Sequence, residues 1–367
     1  MTLSSVFVIL PLLACLFWFL RFAVHHRRSD AAKRTLTVFF GICTVLYLCH
    51  AIFFFLYSET GLPTPIEGLW ATCSLSVYPL YFLYICRLTA QTVSPRKLTI
   101  IFAPGLLVAI AVFVWNNEAT DTIRQAVTAL QVLSVVVFGS LRLRTFDRNI
   151  TELYAETEDK NVHPVRILLL AVMLISLISF VLNILGREYF IATQWTIVIA
   201  LGLMTALLFM LGEIGYKRSF RVDQFLADNP EETVSDVSAE PGELGAKIER
   251  LMITEAYYLH KNVTLTDVAR EVGSCRTYVS NYINQQMHCS FSDYVNRLRV
   301  EHAKMVIMQH ERHGGESKFS VIALSVGFTN EQSFYRNFRK HAGMTPNAWL
   351  EQQRRTHSPH HDSVKGV

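Results

Sequence analysis

The sequence predicts an all-α protein: a seven-helix transmembrane bundle followed by a cytoplasmic domain with two helix-turn-helix units joined by a long helix. Three observations lead there. Apolar runs long enough to cross a bilayer fill the chain ahead of Lys217. The loops between those runs alternate in basic charge. Beyond Lys217 a short pattern of apolar, Ala and Gly residues occurs twice.

Composition sets the class. Hydrophobic residues make up 51% of the 367 and charged residues 17%, against about 25% charged in an average soluble domain. Mean hydropathy is +0.28. The formal net charge of +4 is mild, so global charge alone does not point to nucleic acid. The seven cysteines do not form a disulfide framework. Cys15, Cys43, Cys49, Cys73 and Cys86 sit in apolar spans as small hydrophobes, and Cys275 and Cys289 lack the close pairing of a zinc or redox site. His357, His360 and His361 belong to a polar tail with Ser and Pro rather than to a metal site. No metal, no cofactor and no catalytic constellation is expected.

Each bilayer span needs about 20 apolar residues. Seven segments qualify: Thr2–Val24, Thr35–Tyr57, Ile66–Thr89, Leu98–Trp115, Ile123–Leu141, Ile167–Gly186 and Thr193–Gly215. Gln125 and Gln131 interrupt the fifth. The first carries its positive charge after the apolar run, at Arg21, Arg27 and Arg28, which favours an uncleaved helix over a signal peptide. Arg27, Arg28, Lys33 and Arg34 follow the first span, and Arg96 and Lys97 the third. Arg142, Arg144, Arg148, Lys160 and Arg166 follow the fifth, and Lys217, Arg218 and Arg221 the last. The alternate loops hold only Arg124 and Arg187 among acidic residues, and Trp70, Trp115, Tyr189 and Trp195 fall at the expected outer interface. The positive-inside rule then places the N-terminus outside and the C-terminal domain in the cytoplasm. Seven spans also fit a rhodopsin, but Ile191–Leu211 has no lysine for a Schiff base. Embedded polar groups are few. His50 and Asn183 are the main ones, either a ligand site toward the outer half of the bilayer or hydrogen-bond partners of neighbouring helices. Pro11, Pro79 and Pro104 would kink their spans, and Tyr78, Tyr81 and Tyr84 form a packing stripe.

Between Asp223 and Glu243 the chain has seven acidic residues and no Lys or Arg, with Pro230, Pro241 and Gly242 interrupting it. Such a stretch reads as a flexible tether. The expected domains are thus residues 1–216 in the membrane, 217–243 as linker, 244–355 as a basic helical domain and 356–367 as a disordered tail.

The repeat lies in that helical domain. Val268-Ala269-Arg270-Glu271-Val272-Gly273 and Ile322-Ala323-Leu324-Ser325-Val326-Gly327 share one template. The β-branched residue, the Ala and the Val fall on one helical face, and the Gly suits a turn with positive φ. A second amphipathic helix follows each: Arg276–Asn284 burying Val279, Tyr282 and Ile283, and Asn330–Lys340 burying Phe334 and Phe338. A helix from about Ser292 to Gln309, started by Ser290 and Asp293, would join the two and set their spacing.

The stretch Val263–Leu350 resembles the AraC/XylS family of transcription regulators. The likeness is strongest from Val326-Gly327-Phe328 through Phe338-Arg339-Lys340, followed by Gly343-Met344-Thr345-Pro346, and extends to Arg299 through Ala303-Lys304. It implies sequence-specific promoter binding, usually with activation, and hence double-stranded DNA and RNA polymerase as partners. Pairing of heads in a homodimer would fit such a regulator. Two positions depart from the family. His288 stands where it usually has Gly, and Cys275 where it commonly has a Ser-type cap. The membrane bundle replaces the family's usual soluble ligand-binding domain.

The exposed face of each second helix is the one that would enter a major groove. In the second unit it is expected to present Glu331, Gln332, Ser333, Tyr335 and Arg336; Gln suits adenine and Arg guanine. In the first the candidates are Arg276, Thr277, Ser280 and Asn281. Arg297, Arg299, Arg339 and Lys340 are candidates for phosphate contact or structural pairing. The whole reads as a sensor in a bacterial inner membrane whose signal ligand the residues do not identify. A transporter or receptor with an auxiliary DNA-binding domain, or a factor released by proteolysis of the tether, are the alternatives.

Overall fold

A computed structural model describes residues 3–24, 31–57, 63–89, 93–115, 117–156, 164–171, 194–217, 241–313 and 318–357. The described residues are helical almost throughout, and the chain divides into two compact units. One comprises Met1–Phe146 and Val162–Ala227, the other Asp147–Asn161 and Asp228–Val367.

The first unit is built from α1 (Leu3–Val24), α2 (Ala31–Leu56), α3 (Thr64–Leu88), α4 (Pro95–Val114), most of α5 (Glu118–Leu153) and α6 (Gln194–Lys217). All six are long and apolar enough to cross a membrane. Of the further span expected at Ile167–Gly186, only 167–171 are described, as part of a helical stretch over 164–171. Local chemistry explains the elements. Ser94 caps α4 by accepting from the Lys97 amide, with Pro95 in the first turn where its missing N–H costs nothing. Thr35, Thr44, Thr72 and Thr205 each donate their hydroxyl to the carbonyl four residues back, so these polar atoms find partners inside their own helix. Pro11, Pro79 and Pro104 all lie within helices, as expected.

Packing follows chain order: α1 on α2, α2 on α3, α3 on α4, with α6 returning to α1. The α1–α6 contact depends on small residues. Trp18 of α1 is 2% exposed and packs in edge-on and tilted contacts among Phe17, Phe22, Phe209 and Tyr216. A Cβ placed on Gly212 would sit 2.3 Å from its indole ring, and one on Gly215 would sit 2.3 Å from Leu36. Glycine here lets helices approach closely, the usual device where lipid leaves no hydrophobic force between them. The outer surfaces of the helices carry large apolar residues, including Ile100, Leu107, Leu130 and Phe138. An apolar exterior of that extent suits lipid and not water.

Helix α5 runs well past Leu141, where the fifth span was expected to end. Its polar last turns are stabilised by an Arg148–Glu152 pair at i,i+4, 2.8 Å apart. From Asp147 onward this segment belongs to the second unit.

The second unit contains α7 (Pro241–Glu249), α8 (Leu265–Glu271), α9 (Arg276–Gln286), α10 (Phe291–Arg312), α11 (Phe319–Ser325), α12 (Glu331–Ala342) and α13 (Pro346–His357). Helix α7 opens with Pro241, inside the stretch expected to be linker, and is held by a Glu243–Lys247 pair. The long α10 packs against α9, α11 and α12. Its Val300, Ala303 and Ile307 share one core with Ile322, Ala323, Val326, Phe328, Phe334, Phe338 and Leu350.

Replacing Gly212 with Ala should force Trp18 from its site at a cost of about 1–3 kcal/mol, the usual penalty for overpacking. A thermal melt of the detergent-solubilised chain would show it as a lowered midpoint. Gly202→Ala, whose Cβ would meet only the Phe7 ring edge at 3.2 Å, should melt close to wild type.

Candidate nucleic-acid interface

The two helix-turn-helix units are built by the same local chemistry. In the first, Thr264 caps α8 by accepting from the Asp267 amide, while the Asp267 carboxylate accepts from the Thr264 N–H. This reciprocal box satisfies two helix-start donors at once. The turn is at Gly273, φ +66°, where the Ser274 N–H donates to the Ala269 carbonyl at 2.9 Å. In the second unit Gly327 has φ +94°, and the Phe328 N–H donates to the Ala323 carbonyl, also at 2.9 Å. The same Ala position accepts the same bond in both copies, so the repeated template is a repeated turn.

The glycines differ in their surroundings. A Cβ on Gly273 would meet nothing within 4 Å, whereas one on Gly327 would lie 2.8 Å from the Leu259 carbonyl oxygen and 3.0 Å from the Arg299 Nε. The second turn needs glycine for space as well as for φ.

Helix α12 starts on Asn330, whose side chain accepts from the Ser333 N–H at 2.7 Å, and ends on Gly343 at φ +78°. Helix α9 has no side-chain cap, because Cys275 stands at its N-cap. His288, just past α9, takes φ +51°, the left-handed conformation that its position was expected to require.

Three of the five residues expected on the second reading face lie outward. Glu331, Gln332 and Arg336 are exposed, and Tyr335 is half-buried against Phe319 and Phe334. Ser333 does not belong to that face. It is 1% exposed, on the same side of α12 as the buried Phe334, Asn337 and Phe338. On α9, Thr277 and Asn281 are exposed and Arg276 and Ser280 half-buried, Ser280 accepting from Asn284. Tyr278, absent from the expected set, is 52% exposed beside Thr277 and Asn281. A large aromatic at an outward position of a polar helix was the available signal.

Among the phosphate candidates, Arg297 and Arg339 are exposed. Lys340 is exposed too and pairs with Asp293, tying α12 to α10. Arg299 is entirely buried and so is removed from phosphate contact. Its Nε donates to the Tyr258 carbonyl at 2.7 Å and its Nη2 to the His260 carbonyl at 2.8 Å. Its Nη1 meets the Glu156 carboxylate at 3.2 Å, and the Phe328 ring lies 5.4 Å away. Burial pulls its pKa down to about 10 and Glu156 opposes that shift, so the guanidinium stays charged at neutral pH.

Among the long apolar helices, His50 donates from Nδ1 to the Leu46 carbonyl at 3.0 Å and accepts at Nε2 from the Trp70 indole N–H at 3.3 Å. Arg124 lies over the same Trp70 ring at 4.6 Å and pairs with Asp121. His50 thus bridges α2 and α3 in a hydrogen-bonded cluster. Asn183 lies outside the described residues. No group of three or more metal-ligating side chains occurs among the described residues, and all seven cysteines are free thiols.

A family model described as a helix-turn-helix domain matches residues 268–352. The melibiose operon regulatory protein of Escherichia coli strain K12 is 28% identical over 99 residues, 26% of this chain and 31% of that protein. The uncharacterized HTH-type transcriptional regulator YtdP of Bacillus subtilis is 30% identical over 92 residues, 25% of this chain and 11% of its own length. An uncharacterized response regulatory protein of Staphylococcus epidermidis is 26% identical over 97 residues, 36% of its length. The chain thus spans a third or less of the first two relatives. No solved structure matches it.

Gly327→Ala should destabilise its turn well beyond Gly273→Ala, for which only the positive φ matters, at about 1–2 kcal/mol. Limited proteolysis of the full chain should cut the Gly327 variant between α11 and α12 sooner than either the wild type or the Gly273 variant.

Proposed function

With residues 268–352 forming an AraC/XylS-type helix-turn-helix domain, we propose that the chain is a membrane-bound, sequence-specific transcriptional regulator that couples a signal at the bilayer to promoter binding. The observation that carries the reading is the pair of turns with the same hydrogen bond on either side of α10, each followed by a helix with an exposed polar face. A rigid connecting helix suits two recognition helices that enter successive major-groove segments on one side of the duplex, about 34 Å apart. On α12, Gln332 and Arg336 read base edges and Glu331 and Tyr335 flank them. On α9, Arg276, Thr277, Ser280 and Asn281 do so, with Arg297, Arg339 and Lys340 reserved for phosphates.

Membrane attachment is supported by the six apolar helices and their apolar outer surfaces. The charge alternation supports a multi-pass protein of a bacterial inner membrane with the DNA-binding domain in the cytoplasm. A further observation favours that sidedness: the loop after α5, assigned to the cytoplasm by its basic residues, contributes Tyr154–Glu156 to the DNA-binding unit. The output is activation through RNA polymerase, and pairing of two chains is the simplest way for the bundle to alter how heads are presented. The relatives are named as transcriptional and response regulators, which supports a regulator rather than an enzyme.

The test is to cross-link cells, wash the membranes, immunoprecipitate the chain and sequence the attached DNA. Discrete sites sharing a motif are expected in the membrane fraction. Arg336→Ala should lower their occupancy about tenfold or more, since a bidentate base contact contributes about 1–3 kcal/mol of discrimination, while membrane levels stay unchanged. Equal occupancy in that variant would sink the reading of α12, and sites recovered only from the soluble fraction would replace tethered action with proteolytic release.

A further inference from the structure

The DNA-binding unit is completed by three residues from far upstream in the chain. Tyr154, directly after α5, forms an antiparallel bridge with Thr264, the cap of α8. The Ala155 N–H donates to the Val263 carbonyl at 3.1 Å. The Ala155 carbonyl accepts from the Ser292 hydroxyl and the Asn296 amide of α10, both at 2.8 Å. The Glu156 carboxylate meets Arg299 at 3.2 Å and accepts from the Thr329 N–H at 2.8 Å and from the Thr329 hydroxyl. Tyr154 and Ala155 are 4% and 0% exposed, and Glu156 is 8% exposed.

This strap touches the start of the first head, the connecting helix and the residue that leads into α12. It leaves Glu331, Gln332 and Arg336 exposed, so it does not mask the reading face. Its hydrogen bonds instead hold Thr329, and through it the Asn330 cap, at a fixed place relative to α10. A carboxylate is needed because it accepts from three donors at once, one of them charged.

We propose that Tyr154–Ala155–Glu156, the segment directly after α5, sets the second head for DNA, with Glu156 as the positioning residue. This deepens the function proposed above and rests on it. Docked, the strap holds α12 in the orientation in which both heads reach DNA together. Withdrawn, it leaves the Arg299 charge buried without its carboxylate and the turn before α12 without its acceptor, and the second head loses its fixed pose. Since the strap follows α5 without a break in the chain, a change in that helix is the natural event to withdraw it.

The experiment uses the full chain in lipid nanodiscs and the DNA fragments recovered by immunoprecipitation of the wild type. Footprinting should show the wild type protecting two segments about one helical turn apart. Glu156→Gln, which keeps the shape but gains donors where acceptors are needed, should protect only one segment and bind about tenfold or more weakly, the size expected for losing hydrogen bonds to a charged group. Thr329→Ala, which leaves the Glu156–Arg299 pair in place, should lose the same segment to a smaller extent. In both, protease resistance across Pro241–Arg312 should match the wild type. A complete two-segment footprint in Glu156→Gln would overturn the proposal, as would loss of both segments together with protease resistance, which would make Glu156 a fold-holding group only. Arg336→Ala separates the two readings: if it too keeps both segments, α12 does not read DNA, whatever the strap does.

Discussion

A buried guanidinium organises the DNA-binding unit. Arg299 has no access to water, and a charge in that position is tolerated only when its donors are matched. Its partners come from three separate parts of the chain: the carbonyls of Tyr258 and His260 ahead of the first head, the Glu156 carboxylate, and the face of Phe328 in the second turn. Removing one partner of a buried pair typically costs about 3–5 kcal/mol, so each of those segments is constrained by the others. Gly327 belongs to the same constraint, since only a residue without Cβ leaves room for Arg299 and the Leu259 carbonyl.

Around that centre the two heads are alike in backbone and unlike in support. The first relies on the Thr264–Asp267 capping box and leaves α9 uncapped at Cys275. The second begins α12 on a capping Asn330 and seals it with Gly343. Its core is also the more aromatic, with Phe319, Phe328, Phe334, Phe338 and Trp349 in edge and stacked contacts. A well-capped, well-packed helix holds its outward side chains in place.

The unit of long apolar helices rests on different physics. There the interior and the exterior are both apolar, so shape decides which faces meet. Trp18 against Gly212 and Leu36 against Gly215 select the approach of α6 to its neighbours. Polar groups serve as local ties: Arg87 donates to the Thr35 hydroxyl at 2.8 Å, and Gln131 to the Leu75 carbonyl at 3.1 Å. Each joins two helices.

Some of this was determined by the sequence alone. Hydropathy identifies spans because a bilayer imposes a length, and six of them are matched by described helices. The repeated Ala-x-x-Val-Gly places the turns at Gly273 and Gly327 because positive φ is a local backbone property. Helical period alone buries Phe334 and Phe338 and turns Gln332 and Arg336 outward. The tertiary structure decided what period and composition leave open. Ser333 reads as an outward polar residue, yet the side of α12 that it shares with Phe334, Asn337 and Phe338 is the one packed inward. Arg299 reads as a surface cation until Glu156, 143 positions away, neutralises it inside the core. A local pattern specifies which face of a helix is polar, but not which polar residue meets a distant partner. That choice depends on chain segments brought together only by the completed fold.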